Sequence, residues 1–179
     1  GSEISKISKN YPTINFTFVR RTEMDLGDDR KITIVLNQIK PDLIINTAAY
    51  TAVDQAEKEK ELANQINHLG VATIAEWCAN NSAKLIHVST DYVFDGTSAI
   101  PYQEKDLTAP INWYGETKLR GEQAIESILN DAVIIRTSWV YSEFGNNFVK
   151  TMLRLMEERK SLNVVNDQIG TPTYALDLA

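Results

Sequence analysis

The sequence has few of the residues that build disulfides, metal sites or nucleic-acid surfaces. Its one cysteine, Cys78, cannot form an internal disulfide, and the two histidines do not lie at metal-ligand spacing from it. A net charge of −6 argues against sequence-independent nucleic-acid binding, which needs clustered lysine and arginine. No apolar run approaches the roughly 20 residues of a membrane span, and no signal segment opens the chain. These absences predict a soluble, cytoplasmic protein without nucleic-acid or membrane partners.

What the sequence does contain is an alternation of apolar runs and longer amphipathic stretches. The 179 residues are 43% hydrophobic and 23% charged, which is ordinary for one globular domain. Strands separated by helices of this length predict right-handed crossovers and a mainly parallel sheet. The predicted strands cover residues 14–19, 42–49, 84–89, 132–141 and 162–165, and the predicted helices cover 30–40, 58–80, 114–129 and 146–159. The run at 42–49 is mostly apolar and rich in isoleucine, so we expect a strand that is covered on both faces.

Three of these strands are followed by segments rich in hydroxyl and aromatic side chains. Ligands of such sheets bind beyond the carboxyl ends of the strands. The segments are TAAYTAVD after Asn46, STDYVFDG after Val88 and TSWVYS after Arg136. Their composition favours a polyhydroxylated or nucleotide-bearing ligand.

Tyr114 and Lys118 are four residues apart in a predicted helix, so both side chains lie on one helical face. A free phenol has a pKa near ~10, and a nearby ammonium is expected to lower it towards the range of efficient proton transfer. Thr90 follows a predicted buried strand and supplies a hydroxyl. Together these groups could protonate a carbonyl oxygen while hydride arrives at its carbon. The alternative is an exposed helix with a chance spacing.

The same helix carries Gly115 and Gly121. A helical glycine costs roughly 1 kcal/mol relative to alanine, so we expect another part of the chain to approach closely there. His87, inside a predicted strand, is expected to be a packed core residue rather than a general base.

Five blocks of the sequence resemble a known family. They are TAAYTAVDQAE, STDYVFDG, PINWYGETKLRGE, IIRTSWVYSEFGNNFVKTMLRL and VVNDQIGTPT. In this order they resemble dTDP-4-dehydrorhamnose reductase, an extended short-chain dehydrogenase/reductase, from about residue 24 to the last residue. The resemblance implies a Rossmann-like, doubly wound α/β fold. It also implies reduction of the C4 ketone of dTDP-4-dehydro-L-rhamnose to dTDP-L-rhamnose, in nucleotide-sugar and cell-surface polysaccharide biosynthesis.

The resemblance also implies roles for individual residues. Tyr114 is the implied proton donor, Lys118 its electrostatic partner at the nicotinamide ribose, and Thr90 the hydroxyl that polarises the ketone. The implied dinucleotide-binding residues, besides Tyr114 and Lys118, are Asp25, Leu26, Ala48, Ala49 and Tyr50. The implied substrate-binding residues are Thr51, Val53, Asp91, Tyr92 and Trp139.

The chain also departs from the family's pattern. The first strand and glycine-rich turn that hold a pyrophosphate are not found, and Gly1 fits the last glycine of that motif. Glu3 would then match a glutamate that binds a dimer-bridging Mg²⁺ in some members. We expect a sheet truncated at both ends, with a dinucleotide-binding domain at 1–160 and the start of a substrate-binding lobe at 161–179. A homodimer is expected.

Arg20 and Arg21 bear on the choice of cofactor. They follow the predicted strand at 14–19, where NAD-preferring sites usually carry an acidic residue, and could accept a 2′-phosphate. The alternative is a pair of solvated arginines. We expect NADPH, with NADH possible. Two rival functions stay open: another sugar-nucleotide epimerase or dehydratase of the superfamily, and a non-catalytic regulatory subunit of the same fold.

Overall fold

The computed structural model describes all residues, 1–179, and has the α/β architecture expected from the sequence. The residues divide into two compact units, Val19–Arg136 and the pair of segments Gly1–Phe18 and Thr137–Ala179. In chain order the helices are α1 (Ser2–Ile7), α2 (Asp29–Ile39), α3 (Val53–Ala56), α4 (Lys60–Asn64), α5 (Gly70–Asn81), α6 (Trp113–Ile128), α7 (Phe148–Glu158) and α8 (Ala175–Leu178). The strands are β1 (Leu43–Asn46), β2 (Lys84–Thr90), β3 (Val133–Thr137), β4 (Val140–Tyr141) and β5 (Thr173–Tyr174). Short 3₁₀ turns cover Ser8–Asn10 and Asp91–Val93.

The larger unit is built around a three-stranded sheet in the order β1-β2-β3. β1 and β2 are parallel, with Asn46 opposite His87 at the carboxyl end of β1. Helices α2, α5 and α6 contribute buried apolar side chains to one core with β2; these include Ile32, Leu36, Val71, Ile74, Leu85 and Ile125. Burial of each such side chain contributes roughly 1.5–3 kcal/mol. This core fixes the sheet edge at which the candidate site lies.

A π-helical turn, Gln65–Leu69, joins α4 to α5 without a break in the helix. Single π turns often occur at functional positions. Here the turn carries Asn67, which is 1% exposed. Its amide oxygen accepts from Tyr50 N at 2.8 Å, and its amide nitrogen donates to Tyr50 O at 3.0 Å and to Thr117 Oγ1 at 3.1 Å. Asn67 therefore anchors the loop after β1 to α6.

Both glycines of α6 lie at close backbone approaches, as expected from the sequence. A methyl group on Gly121 would overlap Asn67 O, and one on Gly115 would overlap Tyr92 O. The absent side chains let the π turn and the Asp91–Val93 turn pack directly on α6.

We predict that Gly121→Ala destabilises the protein by about 1–3 kcal/mol, because the new methyl group must displace backbone at Asn67. Urea unfolding followed by circular dichroism would measure the loss. Gln123→Ala, at an exposed position of the same helix, is the matched control. A stabilised Gly121→Ala, as at an exposed helical glycine, would contradict the close approach.

The smaller unit contains α1, α7, α8 and the parallel pair β4–β5, in which Val140 is opposite Thr173. Asn147 caps α7, because its side-chain oxygen accepts from Lys150 N at 3.1 Å. The cap begins the helix predicted at 146–159.

Several predicted strands differ in the structure. Residues 14–19 and 162–165 form no strand, because neither segment hydrogen-bonds to a neighbouring strand. β1 is shorter than 42–49 and is not covered on both faces: it is an edge strand whose Leu43 and Ile45 are 46% and 38% exposed. The segment 132–141 is interrupted before Val140, since Trp139 adopts a left-handed backbone with φ of 49°.

None of the helices combines the length and the apolar composition that crossing a membrane requires.

Candidate active site

The amino end of α6 places Tyr114 and Lys118 in the interior of the larger unit. The Asn112 side chain caps the helix by accepting from Gly115 N at 2.8 Å. One turn separates Tyr114, which is 8% exposed, from Lys118, which is 1% exposed. The same end of α6 is tied to α4, because the Trp113 indole donates to Lys60 O at 3.0 Å. The pair therefore lies in a buried site and not on an exposed helical face.

Thr90, at the end of β2, is brought to Tyr114 as the sequence predicts. The two side chains hydrogen-bond, and the Tyr92 ring packs edge-on against the Tyr114 ring at 5.5 Å. Thr90 Oγ1 accepts from Tyr92 N at 3.2 Å and donates to Asp91 Oδ1 at 3.1 Å. The Thr90 hydroxyl has one hydrogen, which it gives either to Asp91 or to Tyr114, so it must leave that partner before it can donate to a ligand.

The pKa of Tyr114 is raised above its usual value, mainly by burial, and the hydrogen bond with Thr90 acts in the opposite direction. The lowering expected from Lys118 is therefore not seen. The physical reason is that burial disfavours phenolate, while the amine of Lys118 is bonded elsewhere. Tyr114 is consequently a protonated phenol at neutral pH.

Lys118 Nζ makes two buried hydrogen-bond contacts, 2.9 Å from Val88 O and 3.0 Å from His87 Nε2. Burial lowers the pKa of Lys118 to about 8, and the charge of Glu122 acts to raise it. The amine therefore titrates close to neutral pH, unlike an exposed lysine.

His87 is fully buried, as expected for a packed residue, but it does more than fill space. Burial, with the nearby charge of Lys118, lowers the pKa of His87 to about 3, so the ring is neutral. Its other nitrogen, Nδ1, lies 3.1 Å from Asn46 Nδ2. The contact with Lys118 was not predicted from the sequence. The alternation of β2, which places His87 and Ser89 on the same buried face, is the signal that could have indicated it.

The expected dinucleotide-binding residues lie in the larger unit and differ in exposure. Asp25 accepts from Gly27 N at 2.9 Å and pairs with Arg21 at 3.2 Å, and the hydrogen bond from Gly27 is the main cause that lowers the pKa of Asp25. Leu26 is only 5% exposed and belongs to the hydrophobic core, so its side chain is not accessible to a ligand. Ala48, Ala49 and Tyr50 form the loop after β1, and Arg20 is exposed.

Comparison with known proteins gives the family. A family model described as the RmlD substrate binding domain matches residues 1–179. The chain belongs to this family.

Relatives with known names support this family assignment. The dTDP-4-dehydrorhamnose reductase of Salmonella typhimurium is 50% identical over 155 residues, which are 87% of this chain and 52% of that protein. The crystal structure of dTDP-4-dehydrorhamnose reductase from Bacillus anthracis in complex with NADP is 43% identical with a TM-score of 0.93, over 98% of this chain and 63% of that one. A Clostridium acetobutylicum structure of the same name is 39% identical with a TM-score of 0.95, over 99% and 63%.

These likenesses confirm the Rossmann-like α/β fold. The chain spans about half the length of the curated relatives it matches. The expected division into domains at residue 160 stays a prediction.

The expected substrate residues of this RmlD-family chain lie in both units. Thr51 is exposed and Val53 begins α3, while Asp91 and Tyr92 lie in the turn after β2 beside Tyr114. Burial raises the pKa of Asp91, although the bond from Thr90 opposes the shift. Trp139 belongs to the smaller unit, where it contacts Phe148 edge-on at 5.3 Å. All five assignments stay predictions.

The magnesium expected at Glu3 is not supported. Glu3 is 4% exposed, and its Oε1 accepts from Ser142 Oγ at 2.6 Å. No three or more His, Cys, Asp or Glu side chains come together as a metal site. Since Mg²⁺ prefers several oxygen ligands and water, one buried carboxylate bonded to a serine does not fit it.

Proposed function

We propose that the protein containing this chain reduces the C4 ketone of dTDP-4-dehydro-L-rhamnose to dTDP-L-rhamnose, as an NADPH-dependent reductase. The observation that carries the proposal is the buried cluster of Thr90, Tyr114 and Lys118 at the carboxyl end of β2. It supplies a protonated phenol, a hydroxyl and an amine of lowered pKa at the edge of the sheet where ligands bind. The names of the relatives support the choice of substrate.

In this reaction Tyr114 gives its proton to the oxygen that develops negative charge. Its raised pKa keeps the proton in place until the ketone begins to be reduced. Lys118, when charged, then stabilises the phenolate that remains. Thr90, once its hydroxyl rotates from Asp91, donates a second hydrogen bond to the same oxygen. Two donors aimed at a developing oxyanion are a large share of such catalysis.

The residues present fit a phosphorylated dinucleotide. Arg21 is paired with Asp25, whereas Arg20 is exposed and makes no ion pair, so Arg20 is the cation available for a 2′-phosphate. Lys118 would bond the nicotinamide ribose, and the loop Ala48–Tyr50 would line the dinucleotide. When bound, NADPH would supply the hydride. The complex of the Bacillus anthracis relative with NADP supports this choice, and NADH stays the alternative.

The rival functions are less well supported. A regulatory protein of this fold has no need of a buried phenol, hydroxyl and amine, and the chain retains all three. Homodimer formation and a cytoplasmic location stay predictions.

The test is an assay of the protein with its complete natural sequence, using dTDP-4-dehydro-L-rhamnose and NADPH. We expect loss of nicotinamide absorbance together with formation of dTDP-L-rhamnose. UDP-glucose offered with NAD is the control for an epimerase. Folded protein that oxidises no NADPH, under conditions where a known reductase works, would refute the proposal.

A further inference from the structure

The buried contacts of His87 fix the direction of a hydrogen-bond chain. Ala48 N donates to Asn46 Oδ1 at 3.1 Å, which fixes the orientation of the Asn46 amide. Asn46 Nδ2 must then be the group that faces His87 Nδ1 at 3.1 Å. Because an amide nitrogen can only donate, Nδ1 accepts and carries no hydrogen.

The other ring nitrogen of His87 then determines the protonation state of Lys118. A neutral imidazole has one N–H, so the hydrogen is on His87 Nε2. That N–H points at Lys118 Nζ, 3.0 Å away. An ammonium has no lone pair and cannot accept it, whereas a neutral amine can. The arrangement in the structure is therefore that of an uncharged Lys118, which still donates to Val88 O.

A charged Lys118 requires the hydrogen bonds from Lys118 to Asn46 to run in the opposite direction. The ammonium would donate to Nε2, the ring hydrogen would move to Nδ1, and Asn46 would have to present its oxygen to it. Rotation of the amide would then set Asn46 Nδ2 against Ala48 N, two donors facing each other. The hydrogen bond from Ala48 N would be lost, and with it one tie on the loop after β1.

We propose that His87 is a positioning residue that couples the protonation of Lys118 to the backbone of Ala48, in the loop expected to hold the dinucleotide. The tautomer of His87 reports the charge of Lys118, and Asn46 carries the change to the loop. A ligand that reorganises this loop would alter the proton affinity of Lys118, and by reciprocity protonation would alter the affinity for the ligand. The coupling needs only residues of this polypeptide. Its use in catalysis rests on the proposed function.

Few other charged groups lie near this chain of hydrogen bonds. The charged group that acts on His87 is Lys118, and the one that acts on Lys118 is Glu122, one turn further along α6. Glu122 is itself paired with Arg136 at 2.7 Å. Asn46 on β1 and Val88 O on β2 are uncharged. A titration seen at His87 can therefore be attributed to Lys118.

The test is nuclear magnetic resonance of the ¹⁵N-labelled protein, in its complete natural sequence and without ligands, through a pH series. We expect the His87 ring to change from the Nδ1–H to the Nε2–H tautomer as pH rises, with a midpoint near the lowered pKa of Lys118, about 8. The Ala48 amide signal should shift with the same midpoint. One tautomer throughout, or an Ala48 signal that does not follow the ring, would overturn the proposal. Neither readout requires activity.

Two variants distinguish the proposed hydrogen-bond coupling, a relay from Lys118 through His87 and Asn46 to Ala48, from a purely structural role of His87. His87→Leu removes the ring, so the Ala48 signal should lose its pH-dependent shift; if it titrates as before, the relay is wrong. His68→Gln is the matched control, because the side chain of His68, on the π turn, bonds to Asn64 of α4 and should leave the Ala48 titration unchanged. Where His87→Leu does not fold, the tautomer titration of the unchanged protein decides by itself.

Discussion

Tyr114→Phe is expected to lower kcat for ketone reduction by about 10²–10⁴-fold, the usual contribution of a positioned acid or base. The change removes the proton and leaves the ring that packs against Tyr92 at 5.5 Å. Because the phenol acts only when the oxygen becomes negative, the dissociation constant for NADPH should stay nearly the same. Steady-state kinetics of the protein in its complete sequence, with fluorescence titration of NADPH, would measure both quantities.

Tyr11→Phe is the matched control, since Tyr11 is 51% exposed and no role is assigned to it. It should leave both kcat and cofactor binding unchanged. Tyr114→Phe with most of the activity retained would show that another group protonates the alkoxide. A parallel loss of NADPH affinity would instead show that the hydroxyl acts in binding.

The proposed catalytic arrangement could be predicted because it depends on two short-range regularities. Helical spacing places Tyr114 and Lys118 on one face, and the end of an apolar run places Thr90 at the sheet edge. Both regularities depend on local spacing in the sequence and not on contacts with distant residues. The close contacts at Gly115 and Gly121 could be predicted for the same reason, since a glycine inside a helix implies a close neighbour.

What could not be predicted depends on groups far apart in the sequence. The bond between Lys118 and His87 joins residues 31 apart, and the contact of Asn46 with His87 joins residues 41 apart. Their meeting requires the register of β1 on β2, which no local pattern specifies. The raised pKa of Tyr114 was missed for a related reason: burial of the phenol outweighs a helical neighbour whose amine is already bonded to β2.

The strands that failed show the limit of apolar patterns. Residues 14–19 alternate as a strand should, yet a strand exists only where another one hydrogen-bonds to it. Phe16 and Phe18 stack on each other at 6.0 Å without a ladder. Similarly, the apolar run of β1 predicted burial on both faces, but an edge position leaves Leu43 and Ile45 exposed.

Arg136→Met is expected to reduce the free energy of unfolding by about 3–5 kcal/mol, because it leaves a buried carboxylate without its partner. Glu122, 1% exposed, accepts from the guanidinium at 2.7–3.2 Å through both carboxylate oxygens. Arg136 also donates to Glu104 O at 3.3 Å and lies 5.0 Å from the Phe94 ring centroid. Such a loss is a large part of the roughly 5–15 kcal/mol that stabilises a typical domain.

Arg154→Met is the control that separates burial from charge. Arg154 pairs with Glu158 at 3.0 Å, but both side chains are more than half exposed, at 60% and 52%. Removal of an exposed pair should cost at most about 1 kcal/mol. Urea unfolding of both variants at one pH would compare them directly. Equal losses would mean that water reaches Glu122 in solution. A larger loss for Arg136→Met would show that the carboxylate is desolvated, which is also the condition for its charge to act on Lys118.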